Sequence, residues 1–76
     1  MKIEILGTGC SKCKRLEERT NEAVTELGLE AEVVKVEELD QIMEYGVFKT
    51  PGLVVDGEVK ESGKVPTVKA IKQLLS

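Results

Sequence analysis

The chain has 76 residues, 41% apolar and 33% charged, a size that allows one small core burying about 60% of the surface the unfolded chain exposes. A net charge of −3, with one Tyr, one Phe and no Trp, offers neither a basic stripe nor an aromatic stacking platform, so nucleic acid binding has no support. No stretch approaches membrane-spanning length, and Met1-Lys2-Ile3-Glu4-Ile5-Leu6 lacks the long apolar run and small-residue cleavage site of a signal peptide, which leads us to expect a soluble, cytoplasmic protein without a membrane partner.

Lys2 to Leu6 reads as a strand, apolar at Ile3, Ile5 and Leu6 and followed by Gly7 and Gly9. From Ser11 to Leu27, the residues Leu16, Thr20, Ala23, Val24 and Leu27 recur at helical spacing, and Gly28 supplies a C-terminal cap. Ala31 to Val36 predicts a second strand, and two strands joined through a helix form a right-handed parallel unit. Glu38 to Tyr45 is a short helical segment with Leu39, Ile42 and Met43 apolar, closed by Gly46. Leu53 to Val55, the dipeptide Asp56-Gly57 and Glu58 to Glu61 form a hairpin, because Asp-Gly suits a type I′ turn. Gly63 ends it, and Thr67 to Leu75 closes the chain as a helix with Val68, Ile71, Leu74 and Leu75 on one face. The element order is β-α-β-α-β-β-α in one domain, residues 1–76.

Between the first strand and the first helix stands Gly9-Cys10-Ser11-Lys12-Cys13. A C-x-x-C at such a junction puts one thiol near solvent and the positive helix end, with the second one turn on. As a staple the pair is poor, since closing four residues gains roughly 2 kcal/mol against about 3 for fifteen. In a reducing compartment such a pair is more often catalytic or metal-binding than structural. Only a thiolate attacks a disulfide, and a free cysteine with pKa of about 8.5 is mostly protonated near neutrality. Unpaired helix N–H groups, with Lys12 and Lys14 nearby, favour the anionic form of Cys10. Cys13, on the buried stripe with Leu16, is held in reserve to resolve a mixed disulfide. The same two thiolates could also bind a cuprous ion, and a pair that senses oxidation without turnover stays open.

The first strand, Cys10-Ser11-Lys12-Cys13, Tyr45-Gly46-Val47-Phe48-Lys49-Thr50-Pro51, Leu53-Val54-Val55 and the Asp56-Gly57 turn together resemble the minimal thioredoxin fold of glutaredoxins and small microbial thioredoxin-like proteins. The resemblance covers nearly the whole chain. It implies an α/β fold with a four-stranded mixed sheet, order 2-1-3-4, two helices on one face and one on the other. It also implies thiol-disulfide exchange with Cys10 as nucleophile and Cys13 resolving, without a cofactor or bound metal. Pro51 is implied to be cis and to face the cysteines, with Thr50 offering backbone groups to an extended substrate. Ser11-Lys12 stands where thioredoxins carry Gly-Pro and glutaredoxins Pro-Tyr, and Ser62-Gly63-Lys64 replaces the Gly-Gly of glutathione-binding members. Protein disulfides as substrates and a thioredoxin-reductase-like donor are therefore expected, rather than glutathione, for a monomer.

Glu4 lies six residues before Cys10, where the resemblance implies a buried carboxylate that moves protons for the second cysteine; a strand Glu is otherwise simply solvated. Lys12 is read as a thiolate stabiliser. Tyr45 and Phe48 are read as core aromatics with an apolar rim as the alternative, and Glu17-Glu18 as solvated surface. Copper chaperone domains share the length and the C-x-x-C. They usually carry Met where this chain has Thr8, and they end on a strand.

Overall fold

The computed structural model describes residues 1–76. Strand β1 (Lys2–Leu6) leads into helix α1 (Ser11–Leu27), then β2 (Glu32–Val36), helix α2 (Leu39–Glu44), the hairpin β3 (Gly52–Val55) and β4 (Glu58–Ser62), and helix α3 (Val68–Leu75). The sheet order is β2-β1-β3-β4. β1 runs parallel to β2 with Ile5 opposite Lys35, and antiparallel to β3 with Ile5 opposite Leu53. This is the mixed sheet and helix sequence expected of a thioredoxin fold, and the boundaries of β1 and α1 coincide with those read from the sequence.

Strand alternation divides the interior in two. Ile3, Ile5, Leu53 and Val55 meet Leu16 and Ala23 of α1 and Ile71 and Leu75 of α3. On the other face, Leu6 and Val54 meet Ile42 of α2 and Val47. Two helices thus cover one face and one covers the other. At the hairpin, Asp56 and Gly57 take φ of 49° and 83°, the paired positive values a type I′ turn requires. The Asp56 carboxylate accepts from the Lys2 amide at 2.8 Å, tying the turn to the start of β1.

Helix α2 departs from its sequence pattern. Its apolar residues suggest a buried face, yet Ile42 is its one buried side chain, and Leu39 and Met43 lie open to solvent. Six residues make fewer than two turns, too little surface to cover three large side chains against the sheet. No helix of the chain is long and apolar enough to cross a membrane.

Candidate active site

The end of β1 sets the site. Gly7 closes the strand with its amide on the Val36 carbonyl at 3.0 Å, and the chain then rises through Thr8 and Gly9 to Cys10, the N-cap of α1. Cys10 has extended backbone (φ −68°, ψ 165°), and its sulfur accepts the amide of Cys13 at 3.2 Å. A cap sulfur so placed sits where unpaired N–H groups converge, and the first turn of α1 carries no acid. Lys12 is exposed on that turn and joins none of the ion pairs.

Cys13 is bonded to Cys10 as a disulfide with Cα atoms 5.1 Å apart. The two sulfurs are unequal: Cys10 is exposed, while Cys13 is 5% exposed. Gly7 makes that burial possible. A side chain there would place its Cβ 3.0 Å from Cys13 Cβ and overlap Cys13 Sγ. The glycine-rich approach to the cysteines is legible in the sequence; that Gly7 makes room for Cys13 becomes visible only once the strand and helix are packed.

A second segment is brought to the same place. Helix α2 ends in a left-handed turn at Gly46 (φ 77°), where the Gly46 amide reaches the Met43 carbonyl and the Val47 amide the Ile42 carbonyl. This is a Schellman closure that seats Val47 on Ile42. The chain is thereby aimed along Phe48, Lys49 and Thr50 into Pro51, and the Thr50–Pro51 peptide bond is cis. Pro51 is buried, its carbonyl taking the Gly63 amide at 2.7 Å. The Thr50 side chain lies within 3.9 Å of the space a Gly7 side chain would occupy, so Cys13, Gly7 and Thr50 meet at one point. The backbone N–H and C=O of Thr50 take no backbone partner within the chain. Phe48, expected in the core, is 80% exposed: it lies between the buried Val47 and Pro51, on a loop with no layer above it.

Glu4 is not brought to the sulfurs. Ile3 and Ile5 point toward α1, so Glu4 points to the α2 face. There it is 8% exposed and accepts the Tyr45 hydroxyl at 2.8 Å, with Lys2 Nζ at 3.9 Å. The hydrogen bond to Glu4 is the first reason that the pKa of the Tyr45 hydroxyl is raised above its ordinary value near 10. Tyr45, only half-buried, thus anchors the end of α2 to the central strand rather than filling a core.

Raising the folded pKa means that the bond's contribution is complete below about pH 10 and is lost as pH climbs through the folded value. Tyr45→Phe is therefore expected to lower the urea midpoint at about pH 8 and to differ less from the parent near pH 11. Coincident midpoints at the lower pH would contradict the anchoring role.

The sequence model of the thioredoxin domain matches residues 1–76. A thioredoxin of Methanothermobacter thermautotrophicus is 53% identical over 76 residues, covering 100% of this chain and 99% of the relative. A thioredoxin of Methanocaldococcus jannaschii is 47% identical over 73 residues, covering 96% of this chain and 84% of the relative.

Proposed function

Since the chain belongs to the thioredoxin family and is a thiol-disulfide oxidoreductase, we propose that Cys10 opens a substrate disulfide and Cys13 closes the cycle. The carrying observation is the inequality of the two sulfurs. In the reduced protein the helix-end amides favour an anionic Cys10, which attacks one substrate sulfur and expels the other. Cys13, buried under Gly7, then attacks Cys10, releasing the second substrate thiol and leaving the internal disulfide. Two electrons pass from the dithiol to the substrate, and a reductase restores the pair. Alkylation of the reduced protein at graded pH tests the order: Cys10 is expected to react first and at lower pH, and earlier labelling of Cys13 would reverse the roles.

Substrates are protein disulfides. In this reading an extended segment pairs with the open backbone groups of Thr50 beside Pro51, and Lys12 adds positive charge at the rim. The donor is a thioredoxin-reductase-like flavin or ferredoxin-linked enzyme, and the protein, residues 1–76 as one unit, works as a cytoplasmic monomer without glutathione. Cuprous-ion carriage, the other use of such a pair, is not favoured by the family match.

Phe48 stands beside this path with its ring in solvent, two residues before Thr50. Covering part of an aromatic ring contributes about 1 kcal/mol, or roughly fivefold in affinity. Phe48→Ala is accordingly expected to lower kcat/KM for a protein disulfide about three- to tenfold while leaving a small aromatic disulfide within about twofold and the melting temperature unchanged. Equal losses on both substrates would remove Phe48 from the docking surface.

A further inference from the structure

The resolving step asks a buried thiol to lose a proton, and the carboxylate that strand spacing suggested, Glu4, faces the opposite side of the sheet. Cys13 is nevertheless not sealed. A cleft of about 130 Å³ opens beside it, floored by Ile5 and Gly7, with room for several waters at about 30 Å³ each. Its charged groups are Lys14 and Glu17 on α1, Lys35 on β2 and Glu37 just beyond it, while β1 brings none. Glu17 stands four residues after Cys13, so the two share one helix face. Its side chain is only 26% exposed and is pinned by Lys35 Nζ at 3.3 Å. Glu37 is exposed and has no such tie.

We infer that Glu17, through water in this cleft, takes the proton of Cys13 during resolution, with Lys35 as the positioning residue. The inference rests on the reading that Cys10 attacks and Cys13 resolves. In that step the Cys13 proton passes to the Glu17 carboxylate and the Cys13 sulfur bonds to Sγ of Cys10. The bond between Cys10 and the substrate sulfur breaks, and the departing sulfur leaves with that bond's electron pair. Glu17 then returns its proton to solvent. When a reductase reopens the disulfide, the same route runs backward and reprotonates Cys13.

Ellman's reagent separates the steps, because attack by Cys10 releases one chromophoric thiolate in a bimolecular phase and resolution by Cys13 releases a second in a unimolecular one. In Glu17→Gln the first phase is expected to keep its rate, while the second slows by about tenfold or more near pH 6 to 7. The second phase should recover toward the parent rate near pH 9, where more abundant hydroxide can stand in for the carboxylate, and with added imidazole as external base. Lys35→Met breaks the same ion pair but keeps the carboxylate, and should slow the second phase by no more than about threefold. A second phase in Glu17→Gln within about twofold of the parent across the pH range overturns the inference, as does an equal, pH-independent slowing in Lys35→Met. A parent protein that releases only one chromophore would instead overturn the assignment of Cys13 as resolving thiol.

Discussion

Cys13→Ser is expected to halt the protein at the mixed disulfide. Cys10 keeps its cap position and its helix-end amides, so the first attack proceeds, but no internal thiol follows. Multiple-turnover reduction of a protein disulfide should fall by a factor of about 10³ or more, the advantage of a held intramolecular thiol over a millimolar external one. A covalent adduct should then accumulate that dissolves in reductant, visible on a non-reducing gel and by intact mass. Cys10→Ser should give neither turnover nor adduct. Adducts forming on Cys13 in the Cys10→Ser variant at the rate of the parent's first step would show that the buried sulfur attacks, and the proposed order would be discarded.

Gly7→Ala is the second large effect, and it requires no change in either cysteine. The added methyl would overlap Cys13 Sγ, and the backbone at residue 7 is held by its amide on Val36 and by burial against the sheet. Overpacking of this kind typically costs about 1 to 3 kcal/mol. The oxidised protein bears more of it, because the disulfide fixes the sulfur in the occupied space whereas a free thiol can rotate away. Urea denaturation of the oxidised form should therefore show a loss in that range, larger than in the reduced form. The reduction potential should rise by up to roughly 60 mV, since 30 mV corresponds to about 1.4 kcal/mol. An unchanged stability and potential would mean that Cys13 is not confined by Gly7.

Most of the fold is legible because its signals are local and agree. Ile3 and Ile5 alternate, Leu16 to Leu27 repeat at helical spacing, Asp56-Gly57 names its turn, and Gly46 closes α2 where the apolar pattern stops. The pair Cys10 and Cys13 is equally plain, since the helix start is written beside it. What is not legible comes from packing between elements. Leu39, Met43 and Phe48 have core-forming side chains, but whether a layer covers them depends on the length of α2 and the course of the loop behind it. Glu17 looks like any charged helix residue next to Glu18, and only the parallel register that places Lys35 opposite Ile5 brings a cation to it. For Glu4 the signal was present and outweighed: Ile3 and Ile5 already assign the α1 face, so the residue between them belongs to the other. Spacing from Cys10 counts residues along the chain, whereas strand parity decides which way a side chain points.

The two faces of the sheet are unequally furnished, and this divides labour within a very small protein. The sulfurs stand on the side backed by eight packed residues and two helices, while the segment aimed at Pro51 leaves a helix held through Ile42 and one tyrosine hydroxyl. Regions with few buried contacts open at lower free energy than the rest. In the proposed cycle, the half that keeps electrons on a fixed pair of atoms is thus the stiffer one, and the half that would receive client proteins is the more compliant.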